Sequence, residues 1–162
     1  MKFVINFRDK FYDCEYFDDV DFESLETVRQ AYGFVFDDEG KICVVNVRHN
    51  EDGWCLPGGG PEDYDDNFES TLIREVDEEA DLNIKDIKRI GYIRVVSRDN
   101  PDDVQNLLRY VARVDEVKEQ TEDPCHGKIP FRKFVSVDEF EKVVNWGESG
   151  KVQLMKALEG LK

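Results

Sequence analysis

Three consecutive glycines stand between two prolines at Pro57–Pro61, in the run WCLPGGGPEDYDDN, and this break constrains the fold more than any other feature. Proline fixes φ and removes a backbone donor, while glycine reaches conformations closed to other residues, so no regular element is expected to cross from Pro57 to Pro61. Just beyond it, FESTLIREVDEEA places apolar residues every four positions at Phe68, Leu72 and Val76, with Ile73 and Ala80 widening the stripe. That is the period of an amphipathic helix over 68–80, finishing near Ala80 to Leu82, with Asn67 or Asp66 as its N-cap.

The rest of the chain reads as strands and two late helices. Apolar runs at 31–37 and 41–48 flank DDEG, a hairpin turn with Gly40 in a left-handed position. Further strands are expected at 88–97 and 107–114, separated by RDNPDD, and in FRKFVSV after the long polar connection EVKEQTEDPCHGKIP. DEFEKVV and KVQLMKALEG follow as helices, with Asp138 as the first cap and Gly160 as the terminator of the second. Met1 to Phe7 reads as a short strand or arm, and Asp18 to Glu26 as a solvated turn with a short helix. This mixture predicts one α+β domain over residues 1–162, with an antiparallel or mixed sheet.

Charge narrows the function. With 37 acidic against 22 basic residues the formal charge is −15, which repels phosphate backbones and disfavours a nucleic-acid partner. A phosphorylated small molecule stays open, because a bound divalent cation inverts the local field. No apolar run approaches the roughly 18 residues of a membrane span, and MKFVINFRDKFYD lacks the apolar core of a signal peptide, so no membrane partner and a cytoplasmic location are expected. Cys14, Cys43, Cys55 and Cys125 form no C-x2-C pair and are expected to be reduced, with Cys43 a core residue. A homodimer is the base-rate expectation for oligomeric state.

Within REVDEE, Glu75 lies three and four positions before Glu78 and Glu79, so on a helix the three carboxylates converge above one edge. Such clustering costs repulsion that a hard cation, Mg²⁺ or Mn²⁺, removes while bridging phosphate oxygens. Arg74, four positions before Glu78, is placed to hold that carboxylate; the plainer alternative is a solvated helical face. Asp63, Asp65 and Asn67 copy the start of a calcium loop, but Phe68 and Arg74 occupy its required glycine and final acid.

The run from Trp54 to Leu82 resembles the Nudix hydrolase family. Its pattern is Gly, five residues, Glu, seven residues, Arg-Glu, an aliphatic, one residue, Glu-Glu, one residue, Gly and an aliphatic, and the spacing is kept here from Gly60 to Leu82. Gly60, Arg74, Glu75, Val76, Glu78, Glu79 and Leu82 match, whereas Asp66 and Asp81 replace the first Glu and the second Gly. The resemblance implies a Nudix-like α/β/α sandwich with a mixed β-sheet. It also implies metal-dependent hydrolysis of a nucleoside diphosphate linked to another group: a nucleoside triphosphate, nucleotide sugar or dinucleotide. By the family's roles, Glu78 and Glu79 are the main metal ligands, Glu75 a further ligand or water-orienting base, and Asp66 an outer metal contact. Arg74 is then a structural clamp, and Gly59 and Gly60 shape the start of the catalytic helix. Glu62 reaches toward a metal or its water, or is an exposed turn residue. Arg48, Arg94, Arg98 and Arg109 are candidate phosphate ligands, and Tyr32, Phe34, Tyr92 and Tyr110 candidate base-stacking groups or packing residues. The alternative function is a noncatalytic nucleotide-binding or regulatory module; capped-RNA hydrolysis is a narrower enzymatic option.

Overall fold

Val28–Phe36 (β3) and Ile42–Asn46 (β4) carry apolar side chains on both faces because both faces are covered, and they lie in the interior of a mixed sheet. The computed structural model describes residues 1–162. The other strands are Lys2–Phe7 (β1), Lys10–Phe17 (β2), Gly58–Gly59 (β5), Leu82–Ser97 (β6), Val104–Val117 (β7) and Phe131–Val135 (β8). The spatial order is β1-β2-β6-β7-β3-β4-β8, with β5 paired to β3. Strands β3 and β7 run parallel, and the remaining pairs are antiparallel.

One face of the sheet is covered by α1, Phe68–Ala80, whose Leu72, Val76 and Ala80 pack among Ala31, Val35, Cys43, Val45, Leu108 and Tyr110. The other is covered by α2, Val137–Val144, and α3, Gly147–Gly160, through Phe140, Val144, Leu154 and Ala157 against Phe34, Phe36, Ile42 and Val111. The result is an α/β/α sandwich. No helix is long and apolar enough to cross a membrane.

Several local expectations are corrected. No regular element crosses from Pro57 to Pro61, but within the break Gly58 and Gly59 pair with Tyr32 and Ala31 as an unforeseen two-residue strand. Strand β2 went unforeseen: its polar residues alternate along a strand near the sheet edge, where one side chain in two meets solvent. Strands β6 and β7 are longer than the apolar runs, since their polar ends still pair as a ribbon. Ser136, not Asp138, caps α2, exchanging bonds with Glu139 in a capping box. The turn near Asp18 to Glu26 is pinned rather than wholly solvated, because Phe22 is fully buried against the Tyr110 ring.

Candidate active site

The N-terminus of α1 is set by Asn67, whose backbone is extended and whose side-chain oxygen accepts the Ser70 N–H at 2.9 Å. The other end turns at Asp81, which holds a left-handed φ of 49° where glycine would be less strained. Its side chain supplies the compensation: the two carboxylate oxygens accept the Thr121 N–H at 2.9 Å and the Thr121 hydroxyl at 2.8 Å. Arg132 on β8 donates to the Ala80 carbonyl at 2.5 Å, satisfying a helix-end acceptor and adding positive charge there.

Between these ends the acidic edge of α1 faces the glycine turn. Arg74 lies at its centre. The guanidinium donates to both oxygens of Asp65, from Nε at 2.9 Å and Nη2 at 2.8 Å, to the Gly60 carbonyl at 3.0 Å, and from Nη1 to Glu75 at 2.8 Å and Glu78 at 3.3 Å. This fork ties the turn to the helix. Asp65 is nearly enclosed and also accepts the Glu62 N–H and the Thr71 hydroxyl, so its carboxyl lies far below the usual carboxylate range, chiefly through Arg74.

The structure thus gives Asp65 the place beside Arg74 and leaves Asp66 exposed. The tight turn from Glu62 to Asp65 aims the Asp65 side chain inward; Asp66, one residue on, faces solvent. Glu62 is exposed and contributes its N–H to Asp65. Gly60 supplies its carbonyl to Arg74, and Gly59 supplies absence: a Cβ there would fall on the Glu75 carboxyl group.

Glu79 accepts the Gly58 N–H at 3.0 Å, joining β5 to the far end of the acidic edge. Its carboxyl is raised to about 8, chiefly by burial, with Glu75, Asp123 and Glu78 adding to the rise and the Gly58 hydrogen bond opposing it. Glu75 is raised as well, by burial first, with Glu78 and Asp123 adding to it while Arg74 opposes. Both shifts come first from burial, with neighbouring carboxylates adding to them. Asp123, in the 118–130 loop, is 2% exposed and comes close enough to act on both glutamates; its oxygens take the Cys125 N–H at 2.7 Å and lie 3.1 Å from His126 Nδ1. Sequence reasoning missed Asp65, Asp123 and Arg132. Nothing in EDPCHG separates Asp123 from the other acids until the loop is folded back by Asp81.

The donor set is all carboxylate oxygen and suits a hard divalent cation. As the side chains stand, with Arg74 drawn onto Glu75 and Glu78, no three acidic, His or Cys residues close into a coordination shell. Of the other sequence candidates, Arg48, Arg94 and Arg98 are exposed, Phe34 and Tyr110 are core, and Tyr92 stacks on Phe17. Arg109 and Tyr32 remain, packed together on the α2/α3 face.

A family model described as NUDIX domain matches residues 26–157. Among solved structures, the Bacillus subtilis pyrophosphohydrolase BsRppH superposes with a TM-score of 0.74 at 18% identity, over 98% of this chain and 96% of that one. The NUDIX domain of Shewanella oneidensis NrtR, complexed with ADP ribose, gives 0.61 at 14% identity over 88% and 94%. An ADP-ribose pyrophosphatase from Streptococcus suis gives 0.56 at 20% identity over 85% and 93%. Curated protein sequences give no match. At such identities the structural likeness speaks for the fold, and the family match is independent of it.

Proposed function

Because the chain belongs to the Nudix family of pyrophosphohydrolases, we propose that it cleaves a pyrophosphate linkage in a small nucleotide, a nucleoside diphosphate joined to another group. The observation that carries this reading is the acidic edge itself. Glu75 and Glu79 are held above their ordinary protonation range by burial and by neighbouring carboxylates, beside the Gly58 N–H in a turn where a Cβ at Gly58 or Gly59 would clash.

Glu75, Glu78 and Glu79 would hold Mg²⁺ or Mn²⁺, with Asp123 rather than the exposed Asp66 as the further carboxylate of the wall. When bound, the cation neutralises charge on the phosphate oxygens and lowers the pKa of attacking water. The chain's own residues do the positioning. Asp65 grips Arg74 through two bonds, so the guanidinium stays anchored when Glu75 and Glu78 turn from it. Gly58 fixes Glu79, and Gly59 lets the Glu75 carboxyl lie directly on the turn. The carboxylates then orient water toward phosphorus and take up its proton.

A second reading, nucleotide binding without turnover, draws support from Arg74 already neutralising Glu75 and Glu78. Mass spectrometry of phosphate products separates the two, using nucleoside triphosphates, nucleotide sugars and dinucleotide polyphosphates with Mg²⁺ or Mn²⁺. Cleavage by the parent and not by Glu79→Gln is expected. A folded parent that cleaves none of them fits the binding module instead.

A further inference from the structure

The sheet ends on β1, whose outer edge has no strand beside it. Met1 and Tyr16 exchange both backbone bonds, Tyr16 N–H to the Met1 carbonyl at 2.8 Å and Met1 N to the Tyr16 carbonyl at 3.1 Å. Bonded pairs alternate with open ones along an antiparallel ladder, and the register to β2 runs unbroken from Lys2 to Phe7. Phe3, Ile5 and Phe7 therefore turn their N–H and carbonyl groups to β2, whereas Lys2, Val4 and Asn6 turn theirs outward.

An edge strand is ordinarily guarded by proline, a bulge or charge. At the opposite edge of the sheet, β8 sets Arg132 beside Lys133. In β1, KFVINF, there is no proline and no bulge, and the one charge, Lys2, lies 3.9 Å from Glu15. Apolar side chains stay uncovered along it: Met1, Val4, Ile5 and Phe7 are 47%, 51%, 37% and 55% exposed. Phe3 and Ile5 share a face with Cys14 and Tyr12, their partners on β2, and pack beside the small cluster of Cys14, Tyr16, Ile93 and Val95.

This strand complements itself. Turned about a twofold axis at Val4, it sets the outward groups of Lys2, Val4 and Asn6 against those of Asn6, Val4 and Lys2 in a second copy, giving about six backbone hydrogen bonds. No other antiparallel register engages all three. On one face Phe3 then meets Ile5, and Met1 meets Phe7, of the second copy; on the other Val4 meets Val4 and Lys2 meets the Asn6 amide. No like charges oppose each other. Contact along the strand covers roughly 500 Å² on each copy and about 1,000 Å² together, near the lower limit of specific interfaces, so the pairing is weak and reversible.

We propose that β1 is a self-association edge, pairing antiparallel with β1 of a second copy about a twofold axis at Val4 and joining two eight-stranded sheets into one. A second copy supplies the matching alternation by symmetry, which a strand of unrelated sequence does not.

Sedimentation velocity of the full chain is the test, from about 5 to about 500 µM in high salt, which screens the repulsion between copies of net charge −15. A reversible passage from monomer to dimer is expected. Val4→Asp and Val4→Lys each set two like charges on the axis, so each alone should stay monomeric over that range, while an equimolar mixture of the two should dimerise. Val4→Pro takes away an outward N–H that β2 does not use, and should also be monomeric with unchanged far-UV circular dichroism. Amide exchange of the parent needs no variant. The N–H groups of Lys2, Val4 and Asn6 should be protected at high concentration and exchange freely when dilute, whereas those of Phe3, Ile5 and Phe7 stay protected at both. A parent that is monomeric throughout overturns the proposal. So do a dimer that persists in both charged variants, charged variants that stay apart when mixed, and outward amides whose exchange ignores concentration. None of these readouts depends on hydrolysis.

Discussion

At the scale of single residues, the acidic edge shows how little room the chemistry leaves. Gly59→Ala would push a methyl group into the Glu75 carboxyl, so turnover should fall by about 10²-fold or more while far-UV circular dichroism is unchanged. Unchanged turnover would mean that Glu75 stands elsewhere in the working enzyme. Glu79 makes a pH-dependent case. Its carboxyl titrates near 8 in the folded metal-free protein, against an ordinary value of 4.5, so between these limits the folded state holds the extra proton. Its contribution to stability is thus fully present below about 4.5 and is lost as pH rises through 8. Metal-free Glu79→Gln should therefore gain on the parent by about 2 kcal/mol at pH ~8.5, with the gap closing at pH ~5, as read by urea unfolding. A gap that ignores pH would place the carboxylate in water.

Elements are held by exchanges between local strain and distant bonds, and Asp81 is the instructive one. Reverting it to the Gly of the family pattern relieves a left-handed backbone by about 1 kcal/mol. It also removes the nearly buried carboxylate that accepts two hydrogen bonds from Thr121, each worth roughly 1.5–3 kcal/mol. The second effect wins. Asp81→Gly should lower stability by about 1–3 kcal/mol and speed amide exchange in 118–128, the loop that carries Asp123. A stabilised variant would show that the loop is held by other bonds. Asn67→Ala tests the opposite end of the same helix and should cost about 1 kcal/mol in urea unfolding, with loss of the bond to Ser70. The period of Phe68, Leu72 and Val76 made α1 legible because burial of that stripe repeats every turn. Strand β2 was hidden because Asp13 and Glu15 interrupt its aromatics, leaving a half-exposed strand with no apolar run to announce it.

For the whole molecule, the net charge of −15 acts at long range against an anionic substrate. Raising KCl from about 20 to about 200 mM at saturating divalent cation should increase kcat/KM for a nucleotide severalfold, since screening weakens that repulsion. A fall would place a local positive field in control of approach. By itself the sequence determined the break at Pro57–Pro61, the helix after it, and the spacing that puts Glu75, Glu78 and Glu79 on one edge; these are local because neighbouring residues and a fixed helical period decide them. Only the tertiary structure made Asp65 the partner of Arg74 while leaving Asp66 exposed, brought Asp123 in from a distant loop, and enclosed Arg109 between Tyr32 and Trp146. Those outcomes depend on which way a turn aims one side chain and on strand neighbours far apart in the chain, and no spacing along a sequence carries that information.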